Sequence, residues 1–240
     1  MPIGQNTDMT SRNAVEWHTS IAVDFNANYH RRASFQERFA VFSELIRAYS
    51  GSMKRVIDLG CGGGLFSLYA AQFNAHVTGI DGSDAMISIG RRRLEAAQCK
   101  NVDFAVRDIT ALTSAEVTTA DLIICSSVLE YLDDLPKAIA VIDGLLNAGG
   151  ALIVSMPNKS SIYRRLEKIA FRILGKPRYY RFVKNIVTIE DMISLLEEKD
   201  IVAKRICYFS GAPVISSPCL AGFKRWTSNM FVIVATKTMQ

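Results

Sequence analysis

The chain has 240 residues, 49% of them hydrophobic, and a formal net charge of +5. That composition suits one domain with appendages and a core of its own. No apolar run approaches the roughly 18–20 residues of a membrane-spanning helix, and the start, MPIGQNTDMTSRNAVEW, lacks the pattern of a signal peptide. Five scattered cysteines (Cys61, Cys99, Cys125, Cys207 and Cys219) contain no C-x-x-C pair, which argues against a disulfide framework or zinc site and fits a reducing cytoplasm. The positive charge is local. Between Lys159 and Lys184 nine Lys and Arg are opposed by Glu167 alone, so the rest of the chain is net negative. A general nucleic-acid binder spreads its cations over the fold, and nucleic acid is not the expected partner.

In chain order, residues 11–50 read as helical, with RASFQERFAVFSELIRAY clearly amphipathic. Strand-like and helix-like runs then alternate. RVIDL (55–59), AHVTGID (75–81), VDFAVRD (102–108), ADLIICSS (120–127) and GALIVSMP (150–157) read as strands. LFSLYAAQ (65–72), SDAMISIGRRRLEAAQ (83–98) and LPKAIAVIDGLLNAGG (135–150) read as helices. This alternation predicts an α/β doubly wound, mostly parallel sheet. TIEDMISLLEEKD (188–200) predicts a further helix capped by Thr188, followed by strands at 201–209 and 229–237 with a loop over 210–228. The expected organisation is a helical cap over 1–50 and one domain over 51–240, interrupted by a basic amphipathic insert at 158–185.

The first strand runs into four glycines, Gly60, Gly62, Gly63 and Gly64, before a helix. Bare backbone there lets a ligand approach closely, at the carboxyl end of the sheet where open α/β folds bind ligands. The dinucleotide fingerprint G-x-G-x-x-G would need a third glycine at position 65, which is Leu65. Asp58 beside the loop is ill suited to a pyrophosphate and well suited to a cationic ligand, such as the sulfonium and α-ammonium of S-adenosylmethionine. Asp81 ends the second strand, where a carboxylate can take both ribose hydroxyls, with Gly82 next to it. Asp108 ends the third and can accept from an adenine amine, with the Ile109 N–H facing a ring nitrogen. Met86 can pack on the adenine.

The motifs VIDLGCGGG, GIDGSDAMI, VRDI, DLIICSSVLEYLDD and LLNAGGALIVSMPN resemble, in order, those of class I S-adenosylmethionine-dependent methyltransferases. The resemblance covers about residues 35–157 closely and the later elements more loosely. It implies a Rossmann-like seven-stranded sheet whose last strand is antiparallel. Within the family the G-C-G-G-G loop is similar to the ubiquinone-biosynthesis O-methyltransferase branch. That similarity places Gly60, Asp81 and Ser126 at cofactor contacts and Arg38 near the arginine that pairs with the cofactor carboxylate. The branch carries an E-x-x-E-H metal arrangement after the fourth strand. Here Ser127, Glu130 and Tyr131 stand at those positions, so no catalytic metal is expected.

The resulting expectation is methyl transfer to a hydroxyl oxygen of a small-molecule or lipid-like acceptor. Its general base is sought among His18, His30, Glu130 and Tyr131, with His76 structural and Tyr29 either at the cofactor or on the sheet edge. Rival readings are an N-methyltransferase, a nicotinamide-dependent reductase, and a non-catalytic membrane- or RNA-binding protein on the same fold. Within the insert, Ile162, Tyr163, Leu166, Ile169, Ala170, Ile173 and Leu174 make one helical stripe flanked by Arg164, Arg165, Lys168 and Arg172. It reads as an interfacial helix contacting an anionic membrane surface through 160–182, as a lid packed over the site, or as a cluster for an anionic substrate. The resemblance also points to the membrane, which makes the expected location cytoplasmic and peripheral.

Overall fold

The computed structural model describes residues 12–211 and 223–239. Three helices come first: α1 (Ala14–Ser20), α2 (Ala22–Arg31) and α3 (Ala33–Tyr49). The single helical run expected over 11–50 is thus broken at Ile21 and at Arg32, whose extended backbone lets α3 turn onto the sheet. The alternating part follows as β1 (Arg55–Leu59), α4 (Leu65–Ala71), β2 (His76–Asp81), α5 (Asp84–Ala96), β3 (Val102–Val106), β4 (Ala120–Cys125), α6 (Leu135–Leu145) and β5 (Leu146–Pro157). Then come α7 (Ile162–Leu174), α8 (Ile189–Glu197), β6 (Ile201–Gly211), α9 (Lys224–Thr227) and β7 (Ser228–Lys237).

The seven strands lie in the order β3-β2-β1-β4-β5-β7-β6. β1 to β5 pair in parallel, and β7 runs antiparallel between β5 and β6. The order reverses between β1 and β4, the switch point where a doubly wound sheet opens a crevice. Register fixes what stands there. Leu59 pairs with both Ile80 and Cys125, so Gly60, Asp81 and Ser126 emerge on one edge. Side chains alternate across each strand. Ile57, Leu59, Ile123 and Cys125 pack under α6 and α8, while Val56, Leu122 and Ile124 pack under α3 and α4 with Phe42 and Phe66.

Two boundaries differ from the sequence reading. The helix expected to reach residue 150 ends at Leu145, and the AGG stretch joins β5. Leu146 already pairs with Ala120, and Asn147 donates to the Asp121 carboxylate (2.8 Å), so the sheet takes the segment through an irregular register. The segment expected as loop over 210–228 contains α9, and its residues 212–222 lie outside the described residues. Thr188 caps α8 as expected, with Asp191 returning the bond to the Thr188 N–H in a full capping box.

The insert is built inside out. On α7, Arg164 is only 5% exposed and points inward. Its guanidinium donates to Glu167 (2.8 Å), to the Tyr179 hydroxyl (2.9 Å) and to the Asn229 carbonyl on β7 (3.0 Å). Ile162, Leu166, Ile169 and Ile173 recur at helical spacing on the opposite side, and Ile173 is 74% exposed. The stripe therefore does not close over the sheet as a lid would. Gly175, in the left-handed region at φ +64°, ends the helix. No helix among the described residues is long and apolar enough to cross a membrane.

Candidate active site

The glycine loop is held against β2: the N–H groups of Gly60 and Cys61 both donate to the Ile80 carbonyl (2.7 and 3.0 Å). Three of its glycines are required by the protein itself. A Cβ on Gly60 would lie 2.2 Å from Val128, on Gly63 2.1 Å from the Asn26 amide, and on Gly64 2.3 Å from the Phe104 ring. Gly62 is different. A Cβ there would meet nothing nearer than the Met86 sulfur at 3.9 Å, and its φ of +53° keeps it glycine. The free space beside Gly62 opens into a cavity of about 770 Å³, the size of a site for a nucleotide-like ligand and a small acceptor.

Asp81 anchors one end of that cavity. Its carboxylate accepts from the Ser83 N–H (2.8 Å) and the Gly62 N–H (2.9 Å), and burial raises its pKa against these two bonds. A carboxylate offers about four lone-pair directions, so both oxygens retain capacity for ligand hydroxyls. α1 crosses above. Asn13 caps it by accepting from the Glu16 N–H (2.9 Å), Val15 lies over Gly82, and the Thr19 hydroxyl meets the Ser83 hydroxyl (2.7 Å). Below, Met86 is buried and receives the Asn26 side-chain N–H (3.3 Å). The Asp108 carboxylate caps its own turn, accepting from the N–H and hydroxyl of Thr110 (2.9 and 2.8 Å), and Asp108 and Ile109 still line the cavity.

At the other end the wall comes from α1, α3 and the segment after β4. His18 donates from Nδ1 to the Ala14 carbonyl (2.8 Å), because a carbonyl can only accept. The tautomer leaves Nε2 as a free acceptor. Burial, with Arg38 nearby, lowers the His18 pKa to about 4, so the ring is neutral. It packs edge-on against Tyr131, with centroids 5.0 Å apart, and against Phe25. Tyr131 lines the cavity with its pKa raised by burial and by Glu130, so its phenol stays protonated. Tyr29 lines the cavity too, packed on Phe35 and Phe66. Arg38 Nε and the Ser126 hydroxyl are buried without a partner, on residues that face the cavity. Such orphans are rare in folded proteins, and together they fit a ligand carrying acceptor groups.

Three expected site residues stand elsewhere. Asp58, 1% exposed, does not line the cavity. It accepts from the Ser67 hydroxyl (2.6 Å) of α4, since the pleat turns it to the side of Val56 and not toward the strand end. Glu130 is 3% exposed and lies behind the wall, its pKa raised to about 7 by burial against the pull of Arg38 and Arg164. His30 is exposed at the end of α2, where its carbonyl accepts from the Gln36 side chain (3.2 Å). Arg38, Gly60, Gly62, Asp81, Gly82, Met86, Asp108, Ile109, Ser126, His18 and Tyr131 all face one space. Sequence reading missed Asn13, Val15 and Asn26. The N-x-x-E signal from Asn13 to Glu16 could have marked the start of the covering helix. It also missed Lys184, which pairs with Asp133 at the cavity rim. Among the described residues no three His, Cys, Asp or Glu side chains are grouped to hold a metal ion.

A family model described as "Methyltransferase domain" matches residues 50–201. The chain belongs to the methyltransferase-domain family. Its fold is that of an S-adenosylmethionine-dependent methyltransferase domain, and S-adenosylmethionine is its cofactor. Ubiquinone biosynthesis O-methyltransferases are similar in sequence: 36% identical over 107 residues in Coxiella burnetii (45% of each chain) and 36% over 123 in Hahella chejuensis (51% of this chain, 49% of that one). The chain thus spans about half the length of the curated relatives it matches. Among solved structures, N-methyltransferase NodS from Bradyrhizobium japonicum WM9, in complex with S-adenosyl-L-homocysteine, superposes with a TM-score of 0.68 at 18% identity, covering 98% of this methyltransferase domain chain and 100% of its own. Magnesium protoporphyrin IX methyltransferase from Synechocystis, also with that ligand bound, gives 0.71 at 17% identity, with 93% and 98% covered. At that identity the likeness is one of fold.

Proposed function

We propose that the protein transfers a methyl group to a hydroxyl oxygen of a lipid-like acceptor delivered from an anionic membrane surface. His18 carries the hydroxyl reading: a neutral imidazole on the cavity wall whose tautomer leaves Nε2 without a proton. S-adenosylmethionine supplies an electrophilic methyl on a sulfonium when bound. Asp81, Gly62, Met86 and Asp108 would hold its adenosine part, and Arg38 its carboxylate. As the acceptor oxygen gains its new O–CH3 bond and the methyl–sulfur bond breaks, its proton would pass to His18 Nε2. A phenol starts with a pKa of about 10, but the oxygen becomes strongly acidic as the methyl arrives. A base as weak as His18 can therefore take the proton late in the step. Holding acceptor and donor in line and dry supplies roughly 7–11 kcal/mol of the barrier; the α1 cover and the aromatic wall of Phe25, Tyr29 and Tyr131 serve that task.

The lipid-like part of the reading rests on α7. Its outward aliphatic stripe is bordered by exposed Arg165, Lys168 and Arg172, with Lys176 and Arg181 beyond the helix. Cations beside an apolar face match an anionic bilayer, at about 1 kcal/mol for each cation near the surface. Lys184 and Asn185, at the far end of the same insert, hold the turn that carries Tyr131: both N–H groups donate to the Glu130 carbonyl (2.7 and 3.1 Å). The insert thus adjoins the acceptor side of the cavity. Vesicles containing phosphatidylglycerol should sediment the protein at low salt, and high salt should release it. A Leu166→Glu/Ile173→Glu variant with an unchanged melting temperature should stay in the supernatant. Equal sedimentation of both proteins, or of neither, removes the membrane from the proposal. The chemistry itself is tested by following labelled methyl from the donor into an organic-soluble hydroxyl compound.

A further inference from the structure

Two buried acids, Asp58 and Glu130, stand behind the cavity walls, and Asp58 is the one under the glycine loop. Asp58, the penultimate residue of β1, lies beneath the loop whose Gly60 and Gly62 line the cavity. Its strand neighbours in register are Gly79 and Ile124, and it accepts from the Ser67 hydroxyl of α4 (2.6 Å) and, more weakly, from the Ser67 backbone N–H. The ionisable groups facing it are Asp81 at the end of β2, Cys61 in the loop and Cys125 at the end of β4. None of these is a cation, and among the described residues no Lys, Arg or His forms an ion pair with Asp58. A fully buried carboxyl with an acid beside it and no counter-charge holds its proton near neutrality. Burial, and to a smaller degree Asp81, raise its pKa to about 7.

We propose that Asp58 is a specificity-determining residue that lets the site distinguish the cationic methyl donor from its neutral demethylated product. The two ligands share adenosine, ribose, ammonium and carboxylate, and differ in one charge, the sulfonium. A positive charge brought into the cavity above the loop stabilises ionised Asp58, which then gives its proton to solvent. The product thioether brings no such charge, so Asp58 regains its proton and the extra attraction is lost. The donor is thereby held more tightly than the product with no contact that only the donor can make. Asp58 acts here through space, as a charge behind the loop, and not as a direct ligand.

Calorimetric titration of the full protein at pH 7, in two buffers of different ionisation enthalpy, reads the protons released by S-adenosylmethionine and by S-adenosylhomocysteine. Protonation changes at Asp81 caused by the shared ribose cancel between the two. For a one-unit fall in the Asp58 pKa the donor should release about 0.4 of a proton more than the product. Its affinity relative to the product should rise about fivefold from pH 6 to pH 8 for a one-unit fall in the Asp58 pKa. Asp58→Asn should abolish the excess. Ser67→Ala, which removes a bond that lowers the pKa, should keep the excess and move its midpoint to higher pH. Glu130 also titrates near neutrality, so Glu130→Gln must leave the excess in place. No excess in the unmodified protein, the same excess in Asp58→Asn, or its loss in Glu130→Gln overturns the proposal. If Asp58→Asn does not fold, the unmodified protein, Ser67→Ala and Glu130→Gln decide it.

Discussion

Replacing Asp81 with alanine should weaken S-adenosylmethionine binding about 100-fold, read by calorimetry on protein shown to be folded. Two losses combine. The Ser83 and Gly62 N–H groups lose the acceptor that fixes the loop against the start of α5. The cavity also loses the carboxylate placed for two ligand hydroxyls. A hydrogen bond to a charged group contributes about 1.5–3 kcal/mol, so losing even part of this arrangement gives that magnitude. Asp81→Asn should fall between, because the amide can still accept one of the two backbone bonds. Unchanged affinity in folded Asp81→Ala would remove Asp81 from the cofactor site.

His18→Asn should lower kcat by about 100- to 1,000-fold while leaving cofactor affinity intact, within the usual range for a positioned base. The asparagine side chain can still donate to the Ala14 carbonyl, so α1 keeps its bond while Nε2 is lost. The sign of the pH dependence follows from the lowered pKa. His18 is neutral above about pH 4, so a rate limited by this base stays flat from pH 8 to pH 5 and falls only as the ring protonates below that. A rate in His18→Asn equal to that of the unmodified protein would assign the proton to another acceptor.

Spacing alone made much of the donor end legible. Asp81 and Met86 stand where strand ends and the next helix put them, and the first five strands follow from alternation of apolar runs. What spacing could not give is the direction of a side chain. Asp58 is two residues from Gly60, but the pleat sends it to α4. Glu130 and Tyr131 are adjacent on a single 3-10 turn, and only Tyr131 reaches the cavity. His18 and His30 sit on successive helices that pack differently, α1 crossing Gly82 while the end of α2 is exposed, and spacing does not tell them apart. For α7 the apolar period was plain in the sequence, and its outward facing was not. That depends on Arg164 finding Glu167, Tyr179 and the Asn229 carbonyl, partners as far as 65 residues away. The bare loop divides by what each glycine faces: three glycines serve packing, and Gly62 leaves the free space.

The most direct test of the functional account is transfer of radiolabelled methyl from S-adenosylmethionine into a total lipid extract presented as anionic vesicles. The account predicts label in an organic-soluble product as an ether that survives mild base, formed by the unmodified protein and strongly reduced in His18→Asn. Label recovered on an amine nitrogen, in a base-labile ester, or only in water-soluble products would contradict it.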